Sequence, residues 1–335
     1  MKLYRKILQG KTVLITGGTG TWGQEIARQL LTKKVGKIII FSRNESKQVE
    51  MKQKYSSKAD RIKYIIGDIR DSRSIDEACK GVNIVFHTAA LKHVTKCEQQ
   101  PREALNTNVM GTTNVINACV SNKVDICVNI SSDKACDSSC FYGHTKAISE
   151  ALITEANNIT THTDFYSVRS GNIFASSGSV IPLWMEQIKK DNKILITDPI
   201  MSRFFITINK AVKLTLKTIG ISDRGEVFAL RMPSFFIEDL AREFIIRFSD
   251  KKTEIEVIGR FEGEKEAEML FNGFEARRMT KTKDYFIIYP TITVDTAIYP
   301  VVKKYKKYVD GLSSDDDDCI GFEGELAKMF DIILP

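Results

Sequence analysis

A glycine-rich stretch, TGGTGTWG at residues 16–23, constrains the fold of this chain more than any other feature. It follows KTVLITG, a run typical of a buried strand, and precedes apolar residues at helical spacing between Trp22 and Lys33. Glycines at such a turn let the backbone approach a pyrophosphate, whose charge then faces the free N–H groups of the helix. The stretch therefore predicts a dinucleotide site. Its predicted residues are Gly17, Thr19, Gly20, Thr21, Trp22 and Gly23.

The alternation of strand and helix repeats through the first half of the chain. Five further apolar runs are separated by stretches compatible with helices. Because these runs are continuously apolar, both faces of the sheet must be covered, as in a parallel sheet with helices on each side. We predict an α/β fold with a Rossmann-like doubly wound parallel sheet. The runs are KIIIFS (37–42), RIKYIIGD (61–68), NIVFHTAA (83–90), DICVNISS (125–132) and DFYSVRSGN (164–172).

The length of 335 residues exceeds the roughly 100–200 residues of a typical domain, so we predict two lobes. Residues 1–175 form the dinucleotide-binding domain, to which 203–232 return. Residues 176–202 and 233–335 form a smaller α/β lobe that binds the substrate. In that second half the pattern predicts a helix at Ile181–Lys190, a strand at Lys193–Ile196 and a helix over PSFFIEDLAREFIIRF.

Composition excludes several classes of function. The net charge of +7 is scattered in short basic pairs that do not interleave with aromatic residues, which argues against a nucleic-acid partner. We see no signal peptide and no apolar run long enough to span a membrane, so we expect a cytoplasmic protein. Seven cysteines without C-x-x-C spacing predict reduced thiols and no metal site.

The end of the second strand bears on the choice of cofactor. An NAD-binding fold of this type has an acidic residue there to accept the ribose hydroxyls, but this chain reads FSRNESKQ. Arg43 and Lys47 can instead offer positive charge to a 2′-phosphate, so we predict NADP rather than NAD. Asp68 and Ile69 follow the third strand, where an adenine edge is held. The predicted residues of this region are Ser42, Arg43, Asn44, Lys47, Asp68 and Ile69.

The stretch SSDKACDSSCFYGHTK at 131–146 follows the fifth strand, at the edge where an open α/β sheet binds its ligands. Tyr142 and Lys146 are four residues apart and share one face of the next helix. A free tyrosine has a pKa of about 10, and a nearby ammonium stabilises its phenolate. We therefore predict that Tyr142, tuned by Lys146 and accompanied by Ser132, exchanges a proton with a substrate hydroxyl.

Asp133 and Lys134 add an acid and an amine directly after Ser132. An alcohol dehydrogenase needs only the hydroxyl, whereas elimination of water beside a ketone requires two further proton transfers. The adjacent pair therefore favours elimination over simple oxidation.

The arrangement resembles the extended short-chain dehydrogenase/reductase superfamily. Within it, the chain resembles the soluble UDP-N-acetylglucosamine 4,6-dehydratases of polysaccharide biosynthesis that invert carbon 5. Those inverting members carry a Tyr at the position of Tyr142, whereas membrane-anchored retaining relatives carry Met. The resemblance runs from residue 12 to about residue 290. The matching stretches are ITGGTGTWG, FSRNESKQVEM, GDIRD, HTAALKHV, NTNVMGTTNVI, SSDKA, YGHTK, GSVIPLW, ITDPIMSRFFIT and GEK.

The resemblance implies a mechanism of three steps. Tyr142 removes the proton of the sugar 4-hydroxyl while a hydride leaves carbon 4, Lys134 removes the proton of carbon 5 as Asp133 helps the 6-hydroxyl leave, and the hydride returns to carbon 6. Lys134 must lose its proton to act as a base, although a free lysine has a pKa of about 10.4, so we expect burial or a neighbouring cation to lower that pKa. Asp133 must instead hold a proton, and a tight ion pair would oppose both requirements.

The resemblance also implies binding residues outside the two motifs. It places the UDP-sugar substrate against the second lobe, where arginine suits a diphosphate. Further cofactor contacts are expected from Ala89, Ala90, Lys92 and Asn108. Substrate contacts are expected from Lys92, His93, Asn172, Val180, Arg203, Arg260, Glu264 and Arg277.

Departures from the family pattern cluster on the substrate side. The usual NPINLYGATK reads CDSSCFYGHTK here, and RPGEKLHEEL reads FEGEKEAEML. Ser170 and Ser177 stand where the family has Tyr and Arg, and Phe261 and Ala267 stand where it has Arg and His. Two alternatives therefore stay open: a nucleotide-sugar 4-epimerase, and a catalytically silent dinucleotide-binding protein. We also expect a homo-oligomer, formed through helices near residues 107–121 and 142–157.

Overall fold

A computed structural model describes residues 3–249, 252–291, 310–317, 319–321 and 323–332. Six strands of its first half coincide with the six predicted apolar runs, and almost every residue in them is buried on both faces except in the edge strand β3. They are β1 (Thr12–Thr16), β2 (Lys37–Ser42), β3 (Ile62–Ile66), β4 (Ile84–His87), β5 (Ile126–Ser132) and β6 (Asp164–Ser170).

Helices connect these strands. The long helix that carries Tyr142 and Lys146 begins directly after the loop that follows β5. The helices are α1 (Leu3–Ile7), α2 (Thr21–Leu31), α3 (Glu45–Lys54), α4 (Ser72–Cys79), α5 (Val94–Gln99), α6 (Pro101–Leu105), α7 (Gly111–Ser121) and α8 (Phe141–Ile159), with 3₁₀ turns at Ser56–Arg61 and Asp133–Ala135 and a π-helical segment at Asn106–Met110.

The remaining elements alternate less regularly. The predicted helix at 181–190 and strand at 193–196 are both present. In chain order the elements are β7 (Asn172–Ile173), α9 (Val180–Asp191), β8 (Lys193–Ile196), β9 (Ser202–Ile206), α10 (Ile208–Thr218), β10 (Val227–Leu230), β11 (Ser234–Phe236), α11 (Ile237–Phe248), β12 (Glu254–Val257), β13 (Met269–Asn272), α12 (Gly273–Ala276), β14 (Met279–Lys281), β15 (Tyr285–Ile288), β16 (Gly311–Ser313) and α13 (Glu323–Asp331).

Successive residues of the central strands pack into two separate cores. Val13 and Ile15 of β1 face one core, together with residues of α2 and α10, whereas Leu14 faces the other, with residues of α4 and α7. This alternation is the geometry of a strand, whose side chains point to opposite faces in turn. It confirms a doubly wound sheet with helices on both sides.

The nine-stranded sheet has the order β14-β15-β10-β6-β5-β4-β1-β2-β3. All neighbours from β3 to β10 are parallel, and β15 is antiparallel to β10. The β3-β2-β1-β4-β5-β6 part is the strand order of a dinucleotide-binding fold, whose ligands bind beyond the carboxyl ends of the strands. This order brings the ends of β1, β4 and β5 together.

The smaller lobe has an aromatic core of its own. Trp184 of α9 packs on Phe244 of α11, and Phe330 of α13 packs on Phe174 and Phe244. β9 lies between β7 and β11, and β8 pairs with β12. The large sheet takes β10 from residues 203–232, and it also takes β14 and β15 from the range that we assigned to the smaller lobe. The two-domain boundaries stay a prediction.

One predicted element differs in its start. We expected a helix over the whole of PSFFIEDLAREFIIRF, but Ser234–Phe236 form β11, antiparallel to β9, and the helix begins at Ile237. Phe235 is buried against Phe205 of β9, so packing of the aromatic pair favours the strand. No helix in the described part of the chain has the length and apolarity needed to cross a membrane.

Candidate active site

The turn between β1 and α2 requires glycine for two different reasons. Gly17 has a φ of +64°, in the left-handed region, and a Cβ there would lie 2.8 Å from the backbone of Ala89. A Cβ on Gly23 would lie 2.5 Å from the Cα of Gly18, so the start of the helix packs directly on the turn. Side chains at these positions would displace the loop.

The N-terminus of α2 is open to a ligand. Gly20 is its exposed N-cap residue and makes no side-chain capping bond, so the first N–H groups of the helix lack a side-chain acceptor there. Thr19 is buried, and Thr21 and Trp22 begin the helix. A tight glycine turn leading to an uncapped helix fits the pyrophosphate of a dinucleotide.

The end of β2 is occupied by a chain of charged groups. Asn44 caps α3 through its side-chain oxygen, which accepts from the N–H of Lys47. The guanidinium of Arg43 lies 3.7 Å from the Asp68 carboxylate and is 54% exposed. Burial alone would raise the pKa of Asp68, but hydrogen bonds from Arg70 outweigh it and lower that pKa. Asp68 is therefore an ion-paired carboxylate rather than an unengaged acceptor for adenine.

Three other predicted cofactor residues line this region of the fold. Ser42 is buried, and its hydroxyl accepts a hydrogen bond from Gln48. Ile69 is buried and packs closely on Gly111, where an added Cβ would lie 2.6 Å from the Ile69 side chain. Lys47 is exposed and acts electrostatically on Lys92.

The loop after β4 is tied to α8 by Asn108. Its amide oxygen accepts from the Leu91 N–H at 2.8 Å, and its amide nitrogen donates to the Leu91 carbonyl and to Thr145, each at 3.0 Å. Both N–H donors of the amide are therefore used within the protein. Asn108 positions the loop that contains Ala89 and Ala90, and its own contact with a cofactor stays a prediction.

Tyr142 lies in the first turn of α8, half-buried and near Ser132. Burial raises the pKa of the phenol to about 12, although the Lys134 ammonium and Ser132 act to lower it. We expected Lys146 to lower this pKa, but the largest lowering effect comes from Lys134. Ser132, at the end of β5, and Lys134, in the turn after it, are thus the residues that lower the pKa of the phenol.

Lys146 is buried one helical turn beyond Tyr142. Its Nζ donates to the carbonyl of Ile130 at 2.5 Å. Burial lowers the pKa of Lys146 to about 8, against the opposing effect of the Glu150 carboxylate. Burial therefore brings the titration of Lys146 closer to neutral pH than that of an exposed lysine.

Asp133 is completely buried at the end of β5 and is bonded on one side only. Its Oδ1 accepts from the Ser132 hydroxyl at 2.8 Å and from the Lys134 N–H at 2.9 Å. Its Oδ2 is buried, and no residue in the described part of the chain hydrogen-bonds to it. Burial and the negative charge of Glu268 raise the pKa of Asp133 against the effect of Lys134. An unpartnered buried oxygen of this kind favours the protonated acid.

Lys134 is held as an ammonium, contrary to our expectation. Its Nζ lies 3.0 Å from Glu268 Oε1 and 3.5 Å from Asp133 Oδ1. Burial alone would lower its pKa, but the two carboxylates outweigh burial and raise it. The prediction of a lowered pKa was wrong because it considered burial and a neighbouring cation but omitted Glu268.

A cavity of about 180 Å³ opens beside these groups. Three predicted substrate residues line it: Asn172, Arg203 and Glu264. Lys134 forms part of its wall, whereas His93, Val180, Arg260 and Arg277 do not. The lining residues are Val94, Lys134, Ser139, Cys140, Asn172, Arg203, Gly263, Glu264, Lys265 and Glu268.

Arg203, one of the predicted substrate residues, already uses most of its guanidinium donors in hydrogen bonds within the protein. Arg203 is buried, and its guanidinium donates to the carbonyls of Ser202, Lys265 and Glu266. It therefore holds the segment that closes the cavity, and its proposed contact with a diphosphate has few donors to spare.

The other two predicted arginines and two flanking residues lie away from the cavity. Arg260 pairs with Asp198 at 2.6 Å and with Glu266 at 2.9 Å. Arg277 lies over the exposed ring of Phe274. His93 is exposed and caps α5, and Val180 begins α9.

The sequence analysis missed Glu268 and Lys265. Lys265 donates to the carbonyls of Cys136 and Asp137, so the segment 263–268 is fastened over the loop after Asp133. Both residues fall within FEGEKEAEML, and Glu268 aligns with a glutamate of the pattern RPGEKLHEEL. Glu268 is retained although several neighbouring residues of the family pattern are replaced. This retention was the sequence signal that could have identified Glu268.

Comparison with known proteins gives a family match over most of the chain. Residues 13–290 match the family described as polysaccharide biosynthesis protein. The match covers both the glycine turn and the segment that closes the cavity.

Curated relatives carry different names. The chain is 37% identical over 336 residues to a UDP-N-acetylglucosamine 4,6-dehydratase (inverting) of Campylobacter jejuni, covering 98% of each chain. It is 40% identical over 284 residues to a UDP-glucose 4-epimerase of Rickettsia rickettsii, covering 83% of this chain and 82% of the relative. It is also 40% identical over 288 residues to an uncharacterized membrane protein of Methanocaldococcus jannaschii, covering 84% and 86%.

Among solved structures, the X-ray structure of Pen from Bacillus thuringiensis superposes with a TM-score of 0.89. It is 38% identical, and the match covers 97% of this chain and 98% of that one. The comparisons confirm the predicted family resemblance and the predicted fold class.

Proposed function

Because the chain belongs to the polysaccharide biosynthesis protein family, we propose that it is a UDP-N-acetylglucosamine 4,6-dehydratase that inverts carbon 5 and yields a UDP-4-keto-6-deoxy sugar. Its relatives include nucleotide-sugar dehydratases and epimerases, so nucleotide-sugar chemistry fits both groups of names. One observation carries the choice of dehydratase. Asp133, a buried carboxyl with an oxygen to which no described residue hydrogen-bonds, lies next to Lys134, which lines the cavity, and it acts electrostatically on Tyr142.

NADP is the proposed cofactor, and the turn residues of the site fit its pyrophosphate. Gly17, Gly20 and the N-terminus of α2 would hold the phosphates, and Arg43 with Lys47 would face the 2′-phosphate. When bound, the nicotinamide would accept a hydride from carbon 4 and return it to carbon 6. NAD is the alternative, because Arg43 also lies near Asp68.

The first proton transfer is assigned to Tyr142. In its phenolate form Tyr142 removes the proton of the sugar 4-hydroxyl and becomes the phenol, and Ser132 and the Lys134 ammonium stabilise the phenolate before the transfer. The raised pKa of Tyr142 makes its phenolate a strong base once it forms. Oxidation at carbon 4 then makes the hydrogen on carbon 5 acidic.

Loss of water is assigned to Asp133 and Lys134. Asp133 donates the proton on Oδ2 to the 6-hydroxyl oxygen, which departs as water, and Lys134 accepts the proton of carbon 5 as its ammonium gives up a proton. The two residues lie on one turn after β5, so their side chains can reach adjacent carbons of one hexose. Reprotonation of carbon 5 from the opposite face would give the inverted product.

A UDP-sugar 4-epimerase is the second candidate, and the Rickettsia relative favours it by name. Epimerisation uses the same oxidation at carbon 4 but no acid for a leaving hydroxyl. The buried, unpartnered Oδ2 of Asp133 has no task in that reaction. A catalytically silent protein is a weaker third reading, since Tyr142, Lys146, Asp133 and Lys134 are all present.

Incubation with UDP-N-acetylglucosamine and NADP in deuterated water, followed by NMR, tests the proposal. Dehydration predicts loss of the 6-hydroxyl, a new methyl group and deuterium at carbon 5. Exchange of gluco for galacto configuration without deuterium would identify an epimerase. Absence of turnover with any UDP-sugar would favour the silent reading.

Lys134→Ala is the matched variant for that experiment. It should retain NADP binding, because Lys134 lies in the substrate cavity, yet form no product. Product formation at the wild-type rate would remove Lys134 from the mechanism.

Self-association remains a proposal that follows from the resemblance. The outer faces of the π-helical segment and α8 expose Met110 (52%) and Ile148 (44%), which suit a helical interface between two copies.

A further inference from the structure

Glu268 is the carboxylate nearest to the Lys134 ammonium among the described residues. It is only 4% exposed, and its Oε1 lies 3.0 Å from Lys134 Nζ, closer than the 3.5 Å between Nζ and Asp133 Oδ1. The Arg203 Nε lies 4.0 Å from the same oxygen. The ammonium therefore has two carboxylates within reach, and the nearer one is not its neighbour in sequence.

The position of Glu268 is fixed by its backbone. Its N–H donates to the Ser314 hydroxyl at 2.9 Å, and its carbonyl accepts from the Ser314 N–H at 2.9 Å. Arg203 holds the carbonyls of Lys265 and Glu266 just before it. The carboxylate is thus held beside Lys134 before any substrate enters, as a group that acts on a reaction must be.

Other charged and titratable groups also surround this cluster. Asp133 and Lys134 come from the turn after β5, and Arg203 comes from β9. The positive charges of Lys134, Arg203 and Lys265, the last of which is four residues before β13, lower the pKa of Glu268 against the effect of burial. Tyr142 of α8 and Cys140, the N-cap residue of that helix, are both within the electrostatic influence of Lys134.

We propose that Glu268 is a positioning residue that acts through Lys134: it accepts a proton from Lys134 so that Lys134 can act as the base, and it leaves Asp133 to keep the proton that the departing hydroxyl needs. This inference rests on the proposed dehydration. It resolves the conflict between the neighbours, because Lys134 no longer depends on Asp133 as its only counter-ion.

The protons of this step balance. Glu268 takes one proton from Lys134 in the same step in which the Lys134 nitrogen takes the proton of carbon 5, whose electron pair forms the C5–C6 double bond. The two transfers are coupled, because the pairing that raises the pKa of Lys134 and lowers that of Glu268 opposes a separate transfer. Asp133 gives its Oδ2 proton to the 6-hydroxyl oxygen, which leaves with the C–O electron pair as water. The proton on Glu268 then returns to Asp133 through the Lys134 ammonium, which contacts both carboxylates.

Glu268→Gln tests the inference because it keeps the size of the side chain and removes its charge and its proton affinity. Turnover should fall by roughly 10²-fold or more, the usual contribution of a positioned acid or base. The sugar should accumulate as the 4-keto form, lighter by two hydrogens, without deuterium at carbon 5. Rapid quenching and mass spectrometry with protein and substrate at equal concentration would detect it.

The pH profile gives a readout that a purely structural role would not produce. The carboxylate of Glu268 raises the pKa of Asp133, so its removal lowers that pKa. Asp133 acts in its protonated form, and the alkaline limb of kcat should therefore move to lower pH in Glu268→Gln.

Glu266→Gln is the matched control on the same segment. Its side chain is exposed and pairs with Arg260 instead of Lys134, so turnover and pH profile should match the wild type. Wild-type turnover and an unshifted profile in Glu268→Gln would overturn the inference.

Glu268→Asp covers the outcome in which Glu268→Gln does not fold. It keeps the charge but shortens the side chain, and it should lose about tenfold in the elimination step while its pH profile stays close to wild type. An unchanged rate in this variant would also overturn the inference. Failure of the proposed function would show differently, since the wild type itself would then form no carbon-5-deuterated product.

Discussion

Two buried ionic networks join the sheet to the segment 268–275, and they differ in how completely they are bonded. The closed network consists of Arg169, Glu150 and Glu275. All five N–H donors of Arg169 are used. Four donate to the two carboxylates, and the fifth, on Nη1, donates to the Leu270 carbonyl. Arg169 is 2% exposed, so this network is cut off from any ligand.

The open network consists of Asp133, Lys134, Glu268 and Arg203. It also links β5 to the start of β13, but Asp133 Oδ2 has no partner, and Lys134, Arg203 and Glu268 line the cavity. Its ion pairs are longer, at 3.0–4.0 Å compared with 2.7–2.9 Å in the closed network.

The difference between the networks separates stability from chemistry. A saturated buried ion pair resists loss of either partner, because an unpaired charge would be left in the interior. A carboxyl with a buried oxygen that accepts no hydrogen bond already carries a free-energy cost in the native state. Unsatisfied groups of this kind are concentrated at functional sites. We therefore expect variants of the open network to lose activity and variants of the closed network to lose stability.

Asp133→Asn should give the largest effect and is the sharpest test of this contrast. Loss of the acid should reduce turnover by roughly 10²- to 10⁴-fold, while stability changes by no more than about 1 kcal/mol, since the amide keeps the Oδ1 bonds. Turnover assays and chemical denaturation would measure both quantities. A large loss of stability would show that the carboxylate is structural.

The pH dependence of that variant has a defined sign. Because the folded pKa of Asp133 is raised above 3.8, the native state binds more protons, and the wild type loses stability as pH rises through the window that begins there. Asp133→Asn lacks this loss. The stability difference should therefore move in favour of the variant as pH increases from about 4.

Arg169→Met should destabilise the protein by about 3–5 kcal/mol, because two buried carboxylates lose their cation. Glu275 has a pKa lowered from 4.5, so its pairing stabilises the wild type above that value and the benefit is lost as pH falls. The gap between variant and wild type should thus narrow in acid. Arg242→Ala, which breaks an exposed pair with Glu238, is the control and should change stability by well under 1 kcal/mol. Equal effects of the two variants would break the comparison.

Arg43→Ala should give the smallest effect, because the Arg43–Asp68–Arg70 pairs are largely in water. Stability should hardly change, but affinity for NADP should fall about tenfold, the lower end for a charge-assisted hydrogen bond, while affinity for NAD should not. Titration of each dinucleotide by calorimetry would measure this. Tighter binding of NAD by the wild type would contradict the choice of NADP.

Local patterns predicted much of the fold. The six apolar runs became the six parallel strands, and the glycine spacing placed the turn before α2, because strand and turn formation depend on residues close in sequence. The start of α11 was mispredicted, since contact of Phe235 with Phe205 is a tertiary feature.

The site was only partly readable from its motifs. Ser132, Asp133, Lys134 and Tyr142 come together as expected, because one strand end and one helix turn carry them all. The contacts of the arginines could not be predicted from the motifs. Arg203 and Arg260 bind acceptors within the protein, and Arg277 lies over an aromatic ring. Exposure and pairing of a long charged side chain depend on what folds against it.

By itself, the sequence of this chain determined a doubly wound parallel sheet and the identity of the groups at its carboxyl edge, because periodicity and glycine spacing act over a few residues. Only the tertiary structure decided the protonation of those groups. The approach of Glu268 from a distant segment raises the pKa of Lys134 against the effect of burial, and together with burial it raises the pKa of Asp133. Charge interactions of this kind follow distance in space rather than along the chain.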